Sequence, residues 1–210
     1  MITEAPVKPA SEEEALRRTR SGLDTQELLA AWKLEKDLPV AGLNREERLY
    51  RHYTRYNWER FTRVTALYTP TSALVEAVRG IEGPMTWLFL TENWCADAAY
   101  SLPVVLAAAE AHGDTTVRYL LRDANLDVME RYLTGSARSI PILAAFDHEG
   151  NEVLRWGPKP RALAHHRATL VASGADGRAV SAGTIAWYDD DGWLEVEKEL
   201  TVALGELAKD

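Results

Sequence analysis

The residue best equipped for covalent chemistry is Cys95, the only cysteine of the chain. It lies in the segment TENWCADAAYSLPVV, residues 91–105, between an apolar run typical of a strand and a run typical of a helix. A C-x-x-C redox site would carry its second cysteine where this chain has Ala98. A single thiolate can attack a disulfide but cannot resolve the mixed disulfide that forms. Such chemistry here therefore requires an external thiol.

The surroundings of Cys95 act on its thiol in opposite directions. The free N–H groups and positive dipole end of a helix that begins here favour the thiolate and lower its pKa. Glu92 and Asp97 place negative charge nearby and oppose that effect, so we expect a thiol only somewhat more acidic than a free one. Asp97 is either a proton acceptor or a carboxylate that stabilises the first helical turn. The alternative for Cys95 is a buried, inert thiol.

Two arginines are candidates for binding an anion. Arg122 follows the second predicted core strand, and Arg138 precedes the segment Ile140–Pro141. The carboxyl ends of strands in α/β folds face the ligand crevice, where a guanidinium can bind the carboxylate of a small thiol. The alternative is that both are surface arginines paired with neighbouring acids.

Two other basic patterns do not indicate a functional site. His165 and His166 are adjacent and therefore point in different directions on a helix, with no histidine four residues away, so no metal site is predicted. The arginines of the first long helix are spread around it among acids, which is typical of a solvated or salt-bridged face: Arg45, Arg48, Arg51, Arg55, Arg60 and Arg63. The net charge of −8 also argues against nucleic acid or an anionic membrane as a partner.

The first third of the chain is predicted to be helical. Capping pairs precede three helix-like runs: Ser11 with Glu14, Asp24 with Glu27, and Asn44 with Glu47. The third run is the longest and is stopped by Thr69–Pro70. Its apolar residues recur at near-helical spacing and predict one continuous stripe: Leu49, Tyr53, Tyr56, Phe61, Val64 and Tyr68. A shorter helix, TSALVEAVRG, follows and is closed by Gly80.

From Gly83 the pattern becomes β-α-β-α-β-β-α. The strands are MTWLFLT, TTVRYLLRD, PILAAFD and EVLRWG, and the helix between the second and third strands is NLDVMERYLTG, closed by Gly135. Two strands joined through a helix run parallel, and the terminal hairpin adds two antiparallel strands. We therefore predict an α/β fold with a mixed four-stranded sheet and helices on both faces. A polar loop, ADGRAVSAG, and an amphipathic segment from Trp187 to Leu207 complete the chain.

The sequence resembles the thioredoxin-like superfamily at three places. NWCADA stands where members carry W-C-x-x-C after the first core strand, and Pro103 stands eight residues beyond Cys95, where thioredoxins have a helix-kinking proline. RSIP, residues 138–141, matches the cis-proline loop. More narrowly, the chain is similar to a bacterial branch with an N-terminal helical extension, whose segments W-C-x-D-A-A, L-R-D-x-N and W-G-P-x-P correspond to residues 94–99, 121–125 and 156–160.

The resemblance implies roles for several residues. It implies that Pro141 follows a cis peptide bond and that the Ile140–Pro141 loop binds an extended substrate through the backbone of Ile140. Trp94 is a further substrate-binding candidate, and the alternative is that it only packs beside the site. Thioredoxins often carry a buried acid six residues before the first cysteine, and here that position is Phe89. Together with Ala98, this departure excludes a dithiol reductase cycle within one chain.

We expect three regions: a helical extension over residues 1–80, a thioredoxin-like domain over 81–175, and a C-terminal loop and helix over 176–210. The start of the chain lacks an apolar signal core, which predicts a cytoplasmic protein without a membrane partner. Two functions are open. One is a monothiol oxidoreductase that needs no cofactor, in which Cys95 attacks a disulfide and forms a mixed disulfide that an external low-molecular-weight or protein thiol resolves. The other is an inactive binding or scaffold module. A glutathione-transferase-like use would require a fuller helical C-terminal domain.

Overall fold

The computed structural model describes residues 7–209, and its centre is a mixed four-stranded sheet with the strand order β2-β1-β3-β4. The strands are β1 Met85–Thr91, β2 Thr115–Leu121, β3 Ile142–Phe146 and β4 Glu152–Trp156. Strand β1 pairs in parallel with β2 and antiparallel with β3, and β3 and β4 form a hairpin. The α/β thioredoxin-like sheet predicted from the sequence is confirmed.

Helices surround this sheet. Four precede it: α1 Glu12–Arg20, α2 Thr25–Lys36, α3 Arg45–Leu67 and α4 Ser72–Arg79. Two lie between strands: α5 Ala96–His112, after β1, and the short α6 Leu126–Met129, after β2. Three follow the hairpin: α7 Arg161–Ala172, α8 Gly177–Trp187 and α9 Leu194–Leu207. No helix within residues 7–209 combines the length and apolar character needed to cross a bilayer.

The N-terminal helices are joined to the sheet by backbone and side-chain hydrogen bonds. Leu23, between α1 and α2, exchanges two backbone hydrogen bonds with Tyr119 of β2, at 2.9 and 3.0 Å. This contact covers part of an edge strand that would otherwise leave polar backbone groups unpaired. At the opposite edge, the Glu12 carboxylate accepts a 2.8 Å hydrogen bond from the backbone N–H of Glu152 in β4. The extension therefore packs against both edges of the sheet.

The apolar stripe of α3 is buried only in its second half. The capping box predicted from Asn44 and Glu47 opens the helix. Phe61 and Val64 are buried in the core, whereas Tyr53 and Tyr56 remain 36% and 43% exposed. Helical spacing predicts which residues share a face but not whether that face meets the core along its whole length. The exposed half of the stripe borders the candidate site.

The C-terminal region differs from the sequence prediction. The segment ADGRAVSAG, predicted to be a loop, forms most of α8, because the Asp176 side chain caps it by accepting a 2.8 Å hydrogen bond from the N–H of Ala179. The amphipathic segment predicted from Trp187 to Leu207 is interrupted, since Asp191 has a φ of 58° and separates α8 from α9. The segment NLDVMERYLTG forms only the one-turn α6 followed by a 3₁₀ turn.

Candidate functional site

Cys95 lies where β1 has ended and α5 begins. Residues 87–90 of β1 are completely buried, which fixes the strand, and the N–H of Cys95 then closes a tight turn with a 3.0 Å hydrogen bond to the carbonyl of Glu92. Cys95 has extended backbone angles and is the N-cap residue of α5. Pro103 lies within the same helix. The thiol therefore stands at the free N–H groups of a helix N-terminus, as the sequence predicted.

The Cys95 thiol is buried in an environment that strongly disfavours its ionisation. The residue is 6% exposed, and Sγ donates a 3.4 Å hydrogen bond to the carbonyl oxygen of Ile140. Burial, followed by the nearby negative charge of Asp97, raises the pKa of Cys95 from its usual value of about 9 to about 12. The backbone N–H groups of Ala98 and Asp97 and the charge of Lys159 lower this pKa but do not outweigh burial. The direction is opposite to the acidification expected from the sequence.

The loop before β3 faces this thiol. The Ile140–Pro141 peptide bond is cis, and Ile140 is itself 6% exposed. Gly157, in the WGPKP segment, packs directly behind the loop with a φ of +119°. A Cβ at this position would lie 2.3 Å from the carbonyl oxygen of Pro141, so only glycine fits. The segments RSIP and WGPKP, which are distant in the sequence, therefore contact each other beside Cys95.

Asp97 is held by two partners from the C-terminal half of the chain. Its carboxylate accepts a 3.1 Å hydrogen bond from Lys159 Nζ and a 2.8 Å hydrogen bond from the Tyr188 hydroxyl. Burial raises the pKa of Tyr188 well above its usual value, so the phenol stays protonated and remains a donor. The Tyr188 ring stacks on that of Tyr100 in α5, with 4.3 Å between ring centroids. Asp97 thus ties α5 to the region between α8 and α9.

Trp94 is packed between a tyrosine and an arginine. Its ring lies 5.1 Å from that of Tyr50, and the guanidinium of Arg122 lies 4.8 Å from its centroid. Arg122 also donates a 2.9 Å hydrogen bond to Asp123 and a 3.1 Å hydrogen bond to the carbonyl of Arg138. These contacts orient the arginine across the mouth of the site.

Arg138 is paired with an acid as well, since its Nε donates a 2.7 Å hydrogen bond to Glu130. Both anion-binding candidates therefore lie beside the cysteine with their charges already partnered.

Glu92 lies in the turn between β1 and Cys95. Its Oε1 accepts a 2.8 Å hydrogen bond from the backbone N–H of Asp123. Burial raises the pKa of Glu92 to about 7, and this hydrogen bond only partly opposes the increase. Phe89, where thioredoxins often have a buried acid, is completely buried in β1. The carboxyl group with a raised pKa is therefore that of Glu92, in the turn before Cys95, whereas the strand carries Phe89.

A cavity of about 660 Å³ opens beside these residues. We call one side the cysteine wall, formed by Trp94, Cys95, Asp97 and Ile140. We call the facing side the helix wall, formed by Tyr53, Tyr56 and Arg60 of α3. Other lining residues include both predicted arginines, Lys159 and the α8 residue Ile185. The seven site residues predicted from the sequence all line this cavity or adjoin it: Trp94, Cys95, Asp97, Arg122, Arg138, Ile140 and Pro141.

Sequence reasoning missed the helix wall and Lys159. Arg60 and the two tyrosines were interpreted as an ordinary helix surface and a core stripe. The only signal for Lys159 was its place as the variable residue of the segment WGPKP. Within residues 7–209, no group of three or more His, Cys, Asp or Glu side chains is placed to hold a metal ion.

Comparisons with known proteins agree with the fold. A family model described as Thioredoxin matches residues 43–170, which is more than half of the chain. A crystal structure of a protein of unknown function from Pseudomonas aeruginosa matches with a TM-score of 0.53 at 18% identity, covering 95% of this chain and 96% of that one. An HIV epitope-scaffold matches with a TM-score of 0.52 at 19% identity and the same coverage. These identities establish the fold alone. No curated protein matches the chain.

Proposed function

The chain belongs to the thioredoxin family, and from this premise we propose that it is a small-molecule binding module in which Cys95 remains a neutral thiol. The observation that carries the proposal is the state of this cysteine. Its thiol is buried, donates to the Ile140 carbonyl and has a pKa raised to about 12. At neutral pH such a group is a hydrogen-bond donor on the wall of a cavity and a poor nucleophile.

The cleft favours a small ligand over a polypeptide. An extended polypeptide substrate would have to reach the backbone of Ile140. This residue is buried, and its carbonyl oxygen already accepts a hydrogen bond from the Cys95 thiol. The 660 Å³ cavity, by contrast, lies within the range of ~300–1,000 Å³ that small-molecule sites occupy. The helix wall gives this cavity a side that the sheet and α5 do not supply.

The second candidate function is monothiol exchange, favoured by the position of the sulfur on the cavity. Cys95 lines the cavity at a helix N-terminus, and the N–H groups of Asp97 and Ala98 and the charge of Lys159 all favour its thiolate. The thiolate would attack one sulfur of a small disulfide, form the mixed disulfide and release the other sulfur as a thiolate. An external thiol would then attack the mixed disulfide and regenerate Cys95, because Ala98 leaves no resolving cysteine.

In this second function the remaining predicted site residues would serve the exchange reaction. Asp97 would accept the proton of the thiol, the Ile140–Pro141 loop would orient the disulfide, and Trp94 would pack against it. Arg122 and Arg138 would bind a carboxylate of the small thiol.

Thiol trapping separates the two functions. The folded protein is mixed with 4,4′-dithiodipyridine, a small neutral disulfide, at pH 7, and the Cys95 adduct is followed by intact mass. The same reaction in guanidinium chloride gives the rate of the unfolded thiol, and Cys95→Ser gives the background.

The binding proposal predicts that the folded protein reacts about a thousandfold more slowly than the unfolded one, because the pKa is raised by about three units and the thiolate is the reacting form. A folded protein that reacts as fast as the unfolded chain, with the adduct released by added thiol, would replace the binding proposal by monothiol exchange.

A further inference from the structure

We infer that the cavity binds a small organic anion with a planar aromatic part, and that Arg60 pairs with its negative charge. This inference rests on the proposed binding function and names its ligand class. It is carried by the charge balance of the cavity, by the hydrogen-bond partners of its cations and by the position of its aromatic rings.

The cavity is cationic although the chain is acidic. The chain has a net charge of −8. Four lysine or arginine side chains nevertheless line the cavity, against the single carboxylate of Asp97: Arg60, Arg122, Arg138 and Lys159. A cavity in which one sign of charge predominates attracts ligands of the opposite sign. An anion is therefore the ligand whose charge this surface complements.

Arg60 differs from the other three cations in its partners. Lys159 is paired with Asp97, and both remaining arginines are paired with acids that lie outside the cavity lining. Arg60 donates a 2.7 Å hydrogen bond to the Asn57 side-chain oxygen, which is neutral. Among residues 7–209 no carboxylate lies within the 4.0 Å that defines an ion pair with its guanidinium.

The charge of Arg60 lowers the pKa of Asp189, although the two side chains form no ion pair. The direct partners of Asp189 are Arg63 and the Tyr100 hydroxyl, which both donate hydrogen bonds to its carboxylate. The charge of Arg60 is therefore positioned by an amide and compensated by no neighbour in direct contact. An anionic ligand would supply the missing partner, since a guanidinium binds carboxylate, sulfonate or phosphate oxygens through two N–H groups.

Aromatic rings stand next to this charge. Tyr56 and Tyr53 line the cavity and are about two-fifths exposed, so neither ring is covered by the core. The guanidinium carbon of Arg60 lies 6.0 Å from the centroid of the Tyr56 ring. A ligand whose ring packs against Tyr56 would place an acidic substituent within reach of Arg60. Stacking of aromatic rings stabilises a complex beyond the burial of area alone, which favours a planar ligand over an aliphatic one.

A matched pair of fluorescent probes tests the inference. The probe 8-anilinonaphthalene-1-sulfonate carries a planar naphthalene ring and an anionic sulfonate, and N-phenyl-1-naphthylamine is the same ring system without the sulfonate. We expect the folded protein to bind the anionic probe about tenfold more tightly than the neutral probe, and added salt to weaken only the anionic one.

Three variants locate the binding. Arg60→Gln should weaken the anionic probe about tenfold and leave the neutral probe unchanged, which also reports that the variant has folded. Arg60→Lys keeps the charge and should restore most of the affinity. Arg45→Gln removes a positive charge from the exposed first turn of the same helix, outside the cavity lining, and should change neither affinity.

The outcomes separate the two proposals. If the neutral probe binds as tightly as the anion, or if Arg60→Gln behaves like Arg45→Gln, the ligand class is wrong while the binding function stands. If neither probe binds, the proposed binding function fails together with the ligand class.

Discussion

The two walls of the cavity treat charge in opposite ways. The cysteine wall suppresses it: burial keeps the Cys95 thiol protonated, and the one carboxylate of this wall is compensated by Lys159. The helix wall instead exposes a charge: Arg60 is partly exposed, and its guanidinium donates a hydrogen bond to the side-chain amide oxygen of Asn57. One wall is built like a protein core and the other like a protein surface, although they face the same space.

This difference separates a rigid part of the fold from a surface that core packing does not fix. The cysteine wall is formed by the ends of core elements, β1, α5 and the loop before β3, whose packing leaves little freedom for a ligand to move them. The helix wall belongs to an extension whose tyrosines and arginine are not committed to the core. In the proposed binding function, the helix wall would select the ligand and the cysteine wall would be the rigid surface against which the ligand rests.

The largest predicted difference between the two walls is in their contribution to the stability of the protein. Ile140→Ala removes a buried side chain from the cysteine wall and should lower the free energy of unfolding by about 2–4 kcal/mol, because a cavity remains where the side chain was. Tyr53→Ala removes a larger side chain from the helix wall and should cost less than about 1 kcal/mol, because this residue lies at the surface and is 36% exposed. Urea denaturation of both variants measures the difference. Equal losses would mean that the helix wall is part of the core after all.

The cysteine wall could be predicted from the sequence because its signals are local. The apolar run before Trp94, the helix-like run after Cys95 and the proline at position 141 each fix a short stretch of backbone. The resemblance to thioredoxin-like proteins then implies that the Ile140–Pro141 loop faces Cys95 at one end of the sheet. The fold and the position of the thiol follow from these patterns, and the structure agrees with both.

The helix wall could not be predicted in the same way. A period of 3.6 residues places Tyr53, Tyr56 and Phe61 on neighbouring positions of one helix face, and only tertiary packing decides that Phe61 is buried while the tyrosines border a cavity. The pKa of Cys95 was predicted in the wrong direction for a related reason. The helix dipole can be inferred from sequence, whereas the depth of burial that outweighs it depends on the whole fold.

A second prediction concerns the pH dependence of stability. Burial raises the pKa of Glu92, in the turn that leads to the cysteine wall, to about 7, from an ordinary value of about 4.5. Between these two values the folded state holds a proton that the unfolded state has lost, so the free energy of unfolding falls as the pH rises. Because Glu92 is partly exposed, we discount the effect to about 1–2 kcal/mol.

Glu92→Gln removes this titration and keeps an oxygen that can accept the hydrogen bond from Asp123. The variant and the natural chain should be about equally stable at pH 4.5, and the variant should be more stable at pH 8. Urea denaturation across this range measures the gap. A gap that is constant with pH would show that Glu92 ionises freely in the folded protein and that the cysteine wall does not exclude charge in its vicinity.

The smallest expected effects sharpen the account of the thiol itself. Asp97→Asn should lower the pKa of Cys95, because it removes a negative charge that raises this pKa and leaves Lys159 without its partner. Lys159→Met should raise the pKa, because it removes a positive charge and leaves the carboxylate of Asp97 uncompensated. At a fixed alkaline pH below about 12, we expect the alkylation rate to rise about three- to tenfold in the first variant and to fall by a similar factor in the second.

Iodoacetamide alkylation followed by intact mass measures both rates, with Lys198→Met as a control that removes an exposed lysine from the far end of the chain. Opposite changes in the two variants would establish that charge modulates a thiol whose pKa is set mainly by burial. Equal changes in the same direction would mean that either substitution opens the cysteine wall to solvent. In that case the contrast between the walls would depend on the Asp97–Lys159 pair as a structural clamp, and the electrostatic explanation of the thiol would be wrong.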